Sequence, residues 1–141
     1  MAVSCIIAAA SVHTHTMKNF LKCGVSGWCL EILWTSLDSL RRGEFKLMGQ
    51  SSIWMFPIYG MAAGIRPLSV LFAPLGVIKR GLIYMSGIFS MEYLTGSFLQ
   101  KRGICPWDYS DAKLNYRGLI RLDYAPLWFL TGLFYEKILK T

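Results

Sequence analysis

The feature that most constrains this chain is its division into four long apolar stretches separated by short charged connectors. The stretches lie at about residues 18–37, 53–72, 81–99 and 118–139. Each is close to the roughly 20 residues that an α-helix needs to cross a bilayer. Helices satisfy their own backbone polar groups, and no strand-like alternation is visible, so the spans are read as helices. The sequence therefore predicts an all-α integral membrane protein, with about four transmembrane helices in a small bundle. Composition agrees: 54% of the residues are apolar and 16% charged, against about 25% charged in ordinary soluble domains. A disordered chain is excluded, and the length leaves room for one domain, placed at residues 17–141.

Residues 1–16 are read as a poorly ordered N-terminal extension. Their apolar patch, about eleven residues, is too short to span, and no basic region precedes it as in a signal peptide. Residues 38–52 form a charged connector punctuated by Gly43 and Gly49. Arg66-Pro67 interrupts the second stretch. Either the span ends near Ile65 and residues 68–78 lie along the interface, with Arg66 reaching headgroups, or the helix kinks; the first is preferred. In the last stretch Arg121 and Asp123 precede Pro126, a placement that suits a helix start, whereas only a start at Gly118 gives a helix long enough to span, and the sequence leaves the two open.

Fifteen Lys and Arg against eight Asp and Glu give a formal charge of +7. The basic residues sit between apolar runs, which fits anionic membrane lipids as partners and argues against nucleic acid. Orientation is undecided, because seven basic residues fall on one side of a four-span topology and eight on the other. Cys5, Cys23, Cys29 and Cys105 show no C-x-x-C spacing, and His13 and His15 have no further ligand nearby. No metal and no cofactor is expected.

Two acids inside the spans, Glu31 and Glu92, are the sharpest feature. A carboxylate in a span is costly and binds a cation, relays a proton, pairs with a base or ties two helices together. Desolvation should raise both pKa values towards neutrality. Gly24, Gly27, Glu31, Thr35 and Asp38 share one face of a helix, and this stripe should face other helices. Gly60 and Gly64 form a G-x-x-x-G pattern, and with Gly24, Gly27 and Gly96 they are the expected sites of close helix approach. Tyr59 and the loop Trp107-Asp108-Tyr109-Ser110 add polar and aromatic groups. That loop suits headgroup or solute binding, or an interfacial anchor. Lys101, Arg102, Arg117 and Arg121 flank it and could hold a phosphate or lipid headgroup. No P-loop, zinc-protease, nucleophile-elbow or dinucleotide motif occurs in these 141 residues.

Several blocks taken in order carry a resemblance: Gly27-Trp28-Cys29-Leu30-Glu31, Trp54 to Gly60, Glu92-Tyr93-Leu94-Thr95-Gly96, Pro106 to Ser110, and Asn115 to Leu122. From about Met17 to Lys140 the chain resembles the type IV ABC-transporter permease family, which takes in the vertebrate transmembrane protein 229 group. The resemblance implies a multi-pass membrane location and a role near phospholipid homeostasis. It marks Glu31, Tyr59, Glu92, Trp107, Asp108, Tyr109, Ser110 and Gly118 as recurring positions and supplies no catalytic residue. Cys105, where many bacterial members place Trp, and the residues before Met17 depart from the pattern.

The expected function is a transport-related membrane component, acting as a homo-oligomer or with a separate transporter subunit. One alternative is a membrane-embedded enzyme or binding protein for phospholipid headgroups, with Asp108 as acid/base group and Arg117 and Arg121 on phosphate. The other is a structural membrane subunit. The absence of ATPase and hydrolase motifs favours a non-enzyme.

Overall fold

The computed structural model describes the backbone of residues 2–140 and the side chains of residues 14–140. The extension at 1–16 therefore lies largely outside the described side chains. Contacts divide the chain into two compact units, Met1–Ala63 and Gly64–Thr141.

The first unit is built on one long helix, α1 (Ala2–Arg41), and the short α2 (Met55–Gly60). Helix α1 ends because Gly43 takes a left-handed φ of +79°. That turn lets the Gly43 amide reach the Leu40 carbonyl and the Glu44 amide reach the Ser39 carbonyl, satisfying carbonyls the helix end would orphan. Cys23, Gly24, Gly27 and Gly60 are buried in this unit. Phe20 and Trp28 of α1 both meet the Phe56 ring edge-on, at 6.1 and 6.0 Å.

The second unit contains α3 (Ile65–Leu71), α4 (Val77–Gln100), a two-stranded antiparallel hairpin and α5 (Ala125–Lys140). The hairpin pairs β1 (Asn115–Tyr116) with β2 (Ile120–Arg121). Gly103, at φ +67°, ends α4 with the same turn chemistry as Gly43. The core is Ile65, Tyr84, Leu99, Leu119, Tyr135 and Leu139. Helices α4 and α5 approach closely at Gly81 and Gly132, neither of which was among the glycines expected at close helix approaches. A Cβ on Gly132 would lie 2.5 Å from Cβ of Tyr84, and one on Gly81 would enter the Phe129 ring. The Tyr84 Cβ cannot swing away, so Gly132→Ala must push the helices apart. It should lower stability by about 1–3 kcal/mol, read by denaturation followed by circular dichroism. An unchanged midpoint would refute this packing.

The expected four-span membrane bundle is corrected by these elements. Among the described residues no helix is long and apolar enough to cross a membrane. Residues 18–37 fall mostly in the C-terminal half of α1, where Lys18, Lys22 and Glu31 interrupt the apolar residues. Residues 53–72 are broken into α2, a single 3₁₀ turn (Met61–Gly64) and α3. Pro57 and Pro67 each sit in the first turn of a new helix, where a missing amide costs nothing, and neither could sit within one continuous helix. Residues 81–99 fall in α4, where Ser, Thr, Gly, Tyr and Glu92 dilute the apolar residues. The stretch 118–139 opens on the hairpin, and its helix has 16 residues, about 24 Å against a hydrocarbon core of about 30 Å. A stretch with few charges is not the same as a stretch of high mean hydropathy, and the sequence reading weighed the first. The hairpin also corrects the reading that no strand forms. Of the two helix starts the sequence left open, Gly118 and Pro126, the helix takes the second, with Pro126 second in α5.

Candidate functional site around Glu92

Helix α4 presents Glu92 towards α5 and the loop that follows α4. The Trp128 indole Nε1 donates to its Oε2 at 3.2 Å, and the Tyr109 side chain also hydrogen-bonds it. Burial pushes the Glu92 carboxyl up from 4.5 to about 7, against the two hydrogen bonds, which pull the other way. Tyr109 packs edge-on to Tyr124 at 5.8 Å, and Tyr124 packs edge-on to Trp128 at 6.1 Å. The carboxyl thus sits at the foot of three aromatic rings.

The loop that carries Tyr109 is held by its own polar groups. Asp108 Oδ1 accepts from the Ser110 amide at 2.9 Å and from the Ser110 hydroxyl at 2.5 Å. These bonds hold the Asp108 carboxyl below its usual range. The Trp107 indole donates to the Leu119 carbonyl at 3.0 Å, and the Tyr109 amide to the Gly118 carbonyl at 2.8 Å. Asn115 bridges the loop, donating to the Ala112 carbonyl at 2.6 Å and accepting from the Gly118 amide at 2.9 Å. Gly118 has φ +68°, and a Cβ there would lie 2.5 Å from Ser110 Oγ. Only glycine fits, on both conformational and steric grounds. Asp108, Tyr109, Asp111, Ala112 and Arg121 line an open concavity of about 260 Å³ beside the loop. Tyr109 therefore links a half-buried carboxyl to a solvent-facing hollow.

The expected phosphate-binding cations have other engagements. Arg121 forks onto Asp123, with Nε and Nη2 both 2.8 Å from its carboxylate, and lies over the Tyr124 ring at 4.5 Å. Arg117 donates to the Tyr93 hydroxyl at 3.2 Å, and Arg102 stacks on Phe98 at 3.7 Å. Lys101 is exposed. Asp108 caps its own loop and is held ionised, which suits a loop cap better than a general acid.

Glu31 belongs to the first unit and has its partners there. The Ser51 hydroxyl donates to Oε2 at 2.7 Å, and Tyr59 also hydrogen-bonds the carboxylate. Burial raises its pKa, and these bonds offset part of that rise. The direction expected from sequence is found for both acids. The polar stripe on α1 does face inward within this unit. A Cβ on Gly24 would lie 2.9 Å from the Phe56 ring, Thr35 bonds to Gln50, and one on Gly60 would enter the Phe20 ring. Gly27 is buried. Gly96 faces Leu119 and Trp107, each 3.0 Å from a built Cβ, whereas a Cβ on Gly64 would meet nothing. Asp38, the last member of the stripe, pairs with Arg42 one turn on.

A third acid escaped the sequence reading. Glu136 is buried within the last apolar stretch, where it accepts from Arg80 Nε at 3.0 Å and is paired with Lys140. Burial alone would raise its pKa, but the hydrogen bonds from Lys140 and Arg80 outweigh it and bring it down to about 2. The Tyr84 hydroxyl lies buried beside the pair without a well-formed hydrogen bond, and burial pushes it up to about 12. The signal was present: an acid at i and a lysine at i+4 in an apolar run. Trp128 was also missed as a partner of Glu92.

A sequence profile for the family described as "Putative ABC-transporter type IV" matches residues 18–141. The chain belongs to that family. No solved structure matches the chain.

Proposed function

We propose, from membership of an ABC-transporter-related family, that this chain is a transporter component whose Glu92 takes up and releases a proton as solute moves. The observation that supports this reading is the half-buried Glu92 carboxyl, poised at about 7 and held by Trp128 and Tyr109. A group half-protonated at neutral pH changes charge with small changes in its surroundings. Its hydrogen bond to Tyr109 passes that change to the loop beside the open hollow. The sequence has no P-loop, so ATP hydrolysis falls to a separate subunit in this reading.

The test isolates the tagged full-length chain with the proteins bound to it and measures ATP hydrolysis across neutral pH. ATPase activity should accompany the chain and change through about pH 7, and Glu92→Gln should flatten that profile. An isolate without ATPase activity would reject the transporter reading. A profile unchanged in the Gln variant would reject the role of Glu92.

A further inference from the structure

We propose that the α3–α4 turn of the second unit docks in the plane of an anionic lipid surface. Residues 70–78, Val70 to Ile78, are nine consecutive residues without a polar side chain. Ile65 and Ser69, one turn apart, are buried and fix the inward face of α3. That leaves Val70 and Leu71 outward, 72% and 67% exposed, and Ile78 at the start of α4 is 67% exposed.

This apolar ridge is rigidly held. The turn closes through the Phe72 amide to Leu68, the Ala73 amide to Val70 and the Leu75 amide to Phe72. Arg80 Nη1 also donates to the Leu75 carbonyl, tying the turn to the Arg80–Glu136 pair. A ridge fixed in an exposed position keeps its apolar surface in contact with water unless something covers it.

Charge selects the cover. Residues 64–91 contain Arg66, Lys79 and Arg80 and no acid, and residues 124–141 contain Lys137, Lys140 and one acid. That acid is Glu136, buried and already paired with Arg80 and Lys140. Arg66 joins the same end, with Nη1 3.4 Å from the Leu139 carbonyl. An aliphatic ridge with a rim of exposed cations fits the boundary of headgroups and acyl chains, where apolar residues enter and cations remain at the phosphates. An acidic protein partner would need polar complements that nine consecutive apolar residues do not offer. The ridge lies along the surface and crosses nothing.

The experiment is flotation of the full-length chain with vesicles of phosphatidylcholine alone or mixed with phosphatidylserine. The wild type should favour the anionic vesicles. The pair Lys79→Gln and Lys137→Gln should weaken that binding about fivefold per cation, about 25-fold together. Leu71→Asp with Ile78→Asp should abolish it, with unchanged circular dichroism showing that the fold survives. Lys101→Gln with Arg102→Gln should bind as the wild type does. Equal binding to both vesicles, wild-type binding by the ridge variants, or an equal loss in the Lys101/Arg102 pair would overturn the proposal. Tighter capture by poly-glutamate than by vesicles would overturn it in favour of an acidic protein. Glu92→Gln should leave vesicle binding intact, which separates this face from the proposed proton site.

Discussion

Glu92→Gln should stabilise the chain at neutral pH by roughly 2–3 kcal/mol and remove a slope from its stability profile. Folded Glu92 keeps its proton up to about pH 7, whereas the unfolded chain loses it near 4.5. Between those values the folded state binds more protons than the unfolded state. Wild-type stability therefore falls as pH rises through this window and levels off above it. Gln keeps an acceptor for the Trp128 indole and carries no titrating proton. Urea denaturation at a series of pH values would show the wild-type and variant curves separating above 4.5. Parallel curves would mean that the carboxyl is not held neutral by burial.

The second large effect concerns Arg80 and Glu136. Removing Arg80, as in Arg80→Met, leaves the buried Glu136 carboxylate with Lys140 alone and should cost about 3 kcal/mol, the low end of the range for breaking a buried pair. Replacing both, Arg80→Met with Glu136→Leu, should recover most of that loss, because desolvating the pair offsets much of its attraction. A double variant as unstable as the single one would show that the pair is not the cause. The pH dependence here has the opposite sign to that of Glu92. Folded Glu136 titrates at about 2 instead of 4.5, so its contribution is complete above 4.5 and is lost as pH falls towards 2. The two carboxyls together should place the stability maximum of the second unit near pH 4.5.

Local chemistry was legible in the sequence, and the extent of each helix was not. The stripe of Gly24, Gly27, Glu31 and Thr35 could be read because three- and four-residue spacings map directly onto one helical face. The density of polar and aromatic groups from Trp107 to Ser110 marked the loop beside Glu92 for the same kind of reason. Pro126 marked one of the two starts open to α5, because proline is tolerated in a first turn. Pro57 and Pro67 carried the same information, but an apolar run around them masked two helix starts as one span. Glu136 lies near the end of α5 four residues before Lys140, and an acid and a lysine at that spacing read as a solvated surface pair, so its burial went unmarked. Arg80 lies 56 positions away, and no local pattern links them. The pairing of Trp128 with Glu92 spans 36 positions and likewise depends on how α4 and α5 pack.

Thr35 has a consequence of another kind. Its hydroxyl accepts the Gln50 amide at 2.9 Å and lies 3.0 Å from the Gln50 carbonyl. One side chain thus offers residue 50 what a neighbouring β-strand would. One turn on, Ser39 donates to the Met48 carbonyl at 2.9 Å. Between these two pegs, a Cβ built on Gly49 would lie 2.4 Å from the Ile32 carbonyl. The segment from Met48 to Ser51 is therefore laced to α1 at fixed notches, like a belt on a buckle. Extra length inserted between Gly43 and Leu47 leaves every notch aligned, whereas one residue added between Met48 and Ser51 puts the Ser39–Met48 notch out of step with the Glu31–Ser51 one.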